Sequence, residues 1–201
     1  GRWAPSRAAI GAGFGAMARW PVTPEGRAAQ TNLVDDGLCL VEPIPFLAVL
    51  DEMRTIEIDD NQVVMHFDNS GDHVLRTIPL NVEHPADVQP SLHGHSVGKW
   101  EGDTLVIDTI GQNDKTETDR FGTPHSDKIH VIVRYRLSQD GKQLHVDFKV
   151  SDPGAFTTEW SAHVGYVRDK PFFEENACAE NNGGHGIRRE IEMPIAARPD
   201  F

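Results

Sequence analysis

The chain of 201 residues is short of several things, and each shortage narrows what it can be. It has two cysteines, Cys39 and Cys178, too few for a scaffold stapled by many disulfides. No apolar run approaches the roughly 20 residues of a membrane-spanning helix, so membrane insertion is not expected. Basic residues number 19 against 31 acidic, and a formal charge of −12 disfavours nucleic acid and anionic membrane surfaces as partners. A small molecule, neutral or cationic, suits that balance better. There is no glycine-rich nucleotide fingerprint, and no cofactor is expected.

What is present is ordinary globular composition, 38% hydrophobic and 25% charged, which supports one folded domain over residues 1–201. The chain opens on Gly1, so a preceding N-terminal segment such as a signal peptide is expected. Cys39 and Cys178 are either a bridge or two separate buried thiols. A bridge would close a loop of roughly 140 residues and remove about 5 kcal/mol of denatured-state freedom on a chain-entropy argument.

Residues 1–50 read as a loop-rich lead-in with one short helix in "ARWPVTPEGRAAQ", where Thr23 caps, Pro24 takes the first helical position and Glu25 favours the positive end. "LCLVEPIPFLAVL" carries two prolines in an apolar run and reads as extended and buried rather than helical. From residue 54 the pattern has period two. "QVVMHF" and "VLRTIPL" form one hairpin, and "SVGKW" and "TLVIDT" a second around Gly102. "KIHVIVRYRL" and "KQLHVDFKV" form a third around Asp140-Gly141, and "TTEWSAHVGYVRD" follows as a further strand. The expected fold is all-β, an antiparallel meander of about eight or nine strands over 54–180, closed into a lipocalin-like (calycin-type) barrel that removes exposed edges. An open β-sandwich is the alternative. Residues 183–201 read as a surface tail, or as an arm that reaches a second copy in a homodimer.

Two constellations could carry chemistry. In "LHGHSVGKW", His93 and His95 are two apart, and on an extended strand they would point the same way, as a two-imidazole metal clamp does. A cupin-like metal enzyme needs further ligands, but Glu101 falls in a turn and "TPHSDK" lacks the spacing of a second histidine motif, so that reading ranks last. No metal is therefore expected, and His95 with Ser96 is assigned to a pocket rim. His66, His130, His145 and His163 lie on the faces opposite the apolar stripes, as solvated or lumen-lining groups. The second constellation is "GQNDKTETDRFGTPHSD", a connection between strands that gathers Asn113, Asp114, Asp119, Arg120, His125, Ser126 and Asp127.

"GHSVGKWEGDTLVIDTIGQND", "DRFGTPHSD", "DPGAFTTEW" and "CAENN", in that order, resemble a large family of uncharacterised bacterial proteins that usually carry export signals. The resemblance covers roughly residues 20–182. It implies export to the periplasm or beyond, and it puts Asn113, Asp114, His125, Ser126, Glu180 and Asn181 on motif positions. The place of Cys178 just before "AENN" suggests a clasp near the rim.

The leading functional expectation is a cofactor-independent acid/base enzyme, an isomerase, lyase, cyclase or hydrolase, acting on a small hydrophobic or aromatic molecule in the barrel. His125 would move the proton, with Asp114, Glu180 or His95 sharing or orienting it. Asn113, Ser126 and Asn181, with Trp100, Tyr135 and Trp160, would hold the substrate. A Ser126-His125-Asp127 triad is not expected, since chain neighbours rarely converge that way. The alternative is a non-catalytic carrier or sensor of a hydrophobic ligand.

Overall fold

Between residues 52 and 168, runs of alternating apolar residues pair as strands. The structure, a computed structural model, describes residues 3–5, 20–29, 43–50, 52–69, 72–119 and 122–168. These form strands β1 (Trp3–Pro5), β2 (Glu52–Ile58), β3 (Gln62–Asn69), β4 (Asp72–Pro79), β5 (His95–Glu101), β6 (Thr104–Ile110), β7 (His130–Leu137), β8 (Gln143–Ser151) and β9 (Trp160–Arg168). Two short helices, α1 (Pro24–Ala29) and α2 (Phe46–Leu50), complete the described elements. Neither is long and apolar enough to cross a membrane. Arg120, Glu180, Asn181, both cysteines and the tail at 183–201 lie outside the described residues.

The fold is all-β with antiparallel pairing, in a three-strand section β4-β3-β2 and a five-strand section β9-β8-β7-β6-β5. Three-residue β1 joins them, pairing Trp3 with Met53 on one side and with Arg168 on the other. The far ends of the strand order, β4 and β5, approach at a single parallel bridge between Leu80 and Gly98, where Asn81 donates its N–H to the Gly98 carbonyl at 2.8 Å.

The expected hairpins are present. Trp100 pairs with Leu105 across Gly102, whose φ of 66° lies in the left-handed region that favours glycine. Val133 and Tyr135 pair with Phe148 and Val146 across the turn at Gly141. Thr23 caps α1 as expected, its Oγ1 accepting from the Gly26 N–H at 2.9 Å. β1 had no signal in its sequence.

Of the proline-containing lead-in, residues 43–50 are described; 43–48 are buried as expected, but the stretch ends in the helix α2 rather than running extended. Its prolines, Pro43 and Pro45, both precede α2, so no helical residue lacks a donor that the helix needs, and Leu47 N–H bonds the Pro43 carbonyl at 3.0 Å. Tyr166 donates its hydroxyl to the Ala48 carbonyl, fixing α2 against β9.

Side chains from the two sections meet in one core. Val63, Met65, Phe67 and Ile78 on one side and Ile107, Val133, Val146 and Phe148 on the other are all almost fully buried. Burying one such side chain contributes about 1.5–3 kcal/mol.

Candidate functional site

The pairings His95 with Ile110, Thr109 with Val131, His130 with Ser151 and Val150 with Trp160 bring several strand ends to one edge of the five-strand section. There the starts of β5, β7 and β9 meet the ends of β6 and β8. The sequence motifs converge on this edge because the connections between those strands carry them.

His93 and His95 part company there. Gly94 between them has φ of 67°, so the chain is not extended at that point and the alternation behind a clamp does not apply. A Cβ at position 94 would lie 2.4 Å from the Ile110 carbonyl oxygen, so only glycine lets the start of β5 come this close to the end of β6. His93 Nδ1 is buried without a hydrogen-bond partner, and burial, with the nearby Arg76 charge, holds its pKa below the ordinary imidazole value. His95 instead places Nδ1 2.8 Å from His84 Nδ1, while His84 Nε2 lies 3.4 Å and His130 Nε2 2.8 Å from Asp108 Oδ1. One of the two facing Nδ1 atoms must carry a proton and the other accept it. Burial and the His84 charge lower the pKa of His95. Among the described residues no group of three or more His, Cys, Asp or Glu side chains is arranged to hold a metal ion.

His125 is buried, and both of its ring nitrogens are engaged. Nδ1 lies 3.1 Å from the Ser126 carbonyl, which can only accept, so Nδ1 carries the proton and Nε2 accepts from the Thr116 hydroxyl at 3.1 Å. Burial lowers its pKa, against weaker opposing pulls from the Ser126 carbonyl, Asp152 and Asp114. This imidazole pins the connection between β6 and β7. Ser126 is tied down by a carboxylate that the sequence reading passed over. Asp152 accepts from the Ser126 N–H at 2.7 Å, from the Ser126 hydroxyl at 2.6 Å and from the Gly154 N–H at 2.9 Å. Asn113 caps its own turn, accepting from the Lys115 N–H at 3.2 Å, and Asp114 is exposed.

The aromatic candidates divide. Trp160 is buried beneath Trp20, ring centroids 3.8 Å apart, and its Nε1 has no partner. Trp100 is 44% exposed beside the Gly102 turn, five residues along β5 from His95 and so about 17 Å toward the other end. Tyr135 is buried with its hydroxyl unpartnered, and burial pushes the phenol up to about 12.

Arg76, which no motif announced, is buried in the interior. It shares the inward face of β4 with Val74 and Ile78 and is 6% exposed. Its Nη2 donates to Ser96 Oγ at 2.7 Å and to Thr109 Oγ1 at 3.4 Å, and its Nη1 is buried without a partner. Among the described residues no carboxylate pairs with it. Its charge is felt by Tyr135 and by His93, so the three form one neighbourhood. The arrangement is a cation, a protonated phenol and a neutral imidazole in an apolar interior, which together can hold and polarise an oxygen-bearing ligand.

The chain matches no known protein-family model and no curated protein sequence.

Proposed function

We propose that the protein binds a small, mostly apolar organic molecule in its interior, with the ligand's polar group at Arg76 and Tyr135. The observation that carries this reading is Arg76 Nη1, buried without a partner on the strand face that Val74 and Ile78 share with the hydrophobic core. A buried guanidinium bonded only to two neutral hydroxyls is costly, and the polar group of a ligand would meet its remaining donor. Closure of the sheet into a lipocalin-like barrel belongs to the same proposal; the approach of β4 to β5 at Leu80 and Gly98 supports it. Titration with N-phenyl-1-naphthylamine, a neutral apolar fluorophore, is expected to give saturable emission at one molecule per chain. Emission that rises linearly without saturating sinks the proposal.

A second reading, cofactor-independent acid/base catalysis on the bound molecule, is supported by His93. Its half-buried imidazole is kept neutral and has a buried nitrogen without a partner, close to a cation that would stabilise a developing oxyanion. The base in this scheme is His93 and not His125, whose nitrogens are both occupied. Hydrogen–deuterium exchange at the carbon next to the carbonyl of phenylpyruvate in D2O is expected to run about 100-fold faster with the protein. His93→Gln should abolish that acceleration while leaving fluorophore uptake intact. Equal exchange with and without the native chain excludes the scheme.

A further inference from the structure

The proposed binding leaves open what chemistry the polar end of the ligand has, and resting on that reading we infer that it is an organic monoanion whose carboxylate, or equivalent oxyanion, is bound by Arg76. The net charge of −12 argues against anionic ligands only for the outer surface. At Arg76 the sign is reversed: the buried carboxylates Asp119 and Asp152 accept from Thr123 and from Ser126 and Gly154, whereas the groups bonded to Arg76 are hydroxyls. The described interior holds one guanidinium, and the hydroxyls bonded to it, on Ser96 and Thr109, are neutral and lie 2.9 Å from each other.

The donor inventory narrows the class. Arg76 Nη1 is free to donate, and the Tyr135 hydroxyl, protonated at neutral pH, can donate as well. A neutral ligand oxygen could accept from them but would leave the guanidinium charge uncompensated in a low-dielectric interior. A phosphate dianion would overshoot, with a second negative charge buried beside a single cation. One negative charge shared between two oxygens can accept from Arg76 Nη1 at one oxygen and from the Tyr135 phenol at the other. The rest of the ligand must be apolar, because Ile78, Ile107, Val133 and Phe148 belong to the same core as Tyr135.

Two probes with one aromatic skeleton test this. N-phenyl-1-naphthylamine is neutral, and 8-anilino-1-naphthalenesulfonate adds a sulfonate monoanion to the same frame. The native chain is expected to bind the sulfonate at least 10-fold more tightly, at one molecule per chain. Arg76→Met should bring the two affinities to within about 3-fold by weakening the sulfonate alone, and Arg76→Lys should keep part of the preference. If the neutral probe binds and the sulfonate binds no more tightly, the anion assignment is wrong while interior binding stands. If Arg76→Met folds and retains the native preference, the anion sits elsewhere and the assignment fails. If neither probe saturates, interior binding itself fails and takes this inference with it. The native comparison decides even if a variant does not fold.

Discussion

Asp152→Ala is expected to lower stability by about 3 kcal/mol, a fall of about 6–12 °C in Tm for a chain of this size. The carboxylate is 2% exposed and serves two donors of Ser126 and the backbone N–H of Gly154. Alanine leaves those donors facing a space that carried charge-assisted bonds, which are roughly twice as strong as neutral ones. The neighbouring backbone has no slack to compensate, since a Cβ on Gly154 would lie 2.7 Å from Ser126 Oγ. Asp152→Asn keeps one accepting oxygen but turns an NH2 group toward a donor, so it should recover less than half of the loss. Urea denaturation followed by tryptophan fluorescence checks the series. A loss below 1 kcal/mol for the alanine variant would mean that water replaces the carboxylate and that the strap it forms between the β6–β7 connection and the β8–β9 turn is not held from this side.

The strap matters because of where it lies. It ties the connection between β6 and β7 to the turn between β8 and β9, and His125 with Thr116 ties the same connection to itself. The motif residues Asn113, His125 and Ser126 thus spend their hydrogen bonds on holding one end of the sheet in shape. His93 and Arg76 keep unpartnered atoms beneath that end.

The hairpins were readable because their signals are local: period-two alternation on both sides of a glycine turn leaves little choice of register. The Thr23 cap was readable for the same reason, needing only the three residues that follow. The direction of His93 was not readable, since it depends on the φ of Gly94, and that is set by how close β6 passes. Nor was the bond between Ser126 and Asp152, 26 residues apart, or the approach of His84 to His95 from a loop. Arg76 is a different case. In "VLRTIPL" it alternates in phase with Val74 and Ile78, so parity alone puts a guanidinium on the apolar face. A charge in phase with the core was the signal for the proposed binding group.

That charge sets up the remaining test. Arg76→Met, stripped of small molecules, is expected to be more stable than the native chain, by about 1–4 kcal/mol. In the native fold the guanidinium has lost its hydration and gained hydroxyls in place of a carboxylate, and burial correspondingly lowers its pKa. Methionine fills much of the same volume with no group to hydrate. Removing the guanidinium does not orphan Ser96 and Thr109, because their hydroxyls already lie within hydrogen-bond distance of each other. The comparison is an equilibrium urea titration of both chains. Should the methionine variant prove less stable by more than about 1 kcal/mol, Arg76 is a structural crosslink between β4 and the β5–β6 pair. A more stable variant that no longer prefers the anionic probe would instead show that the chain gives up stability to keep a cation where a ligand can meet it.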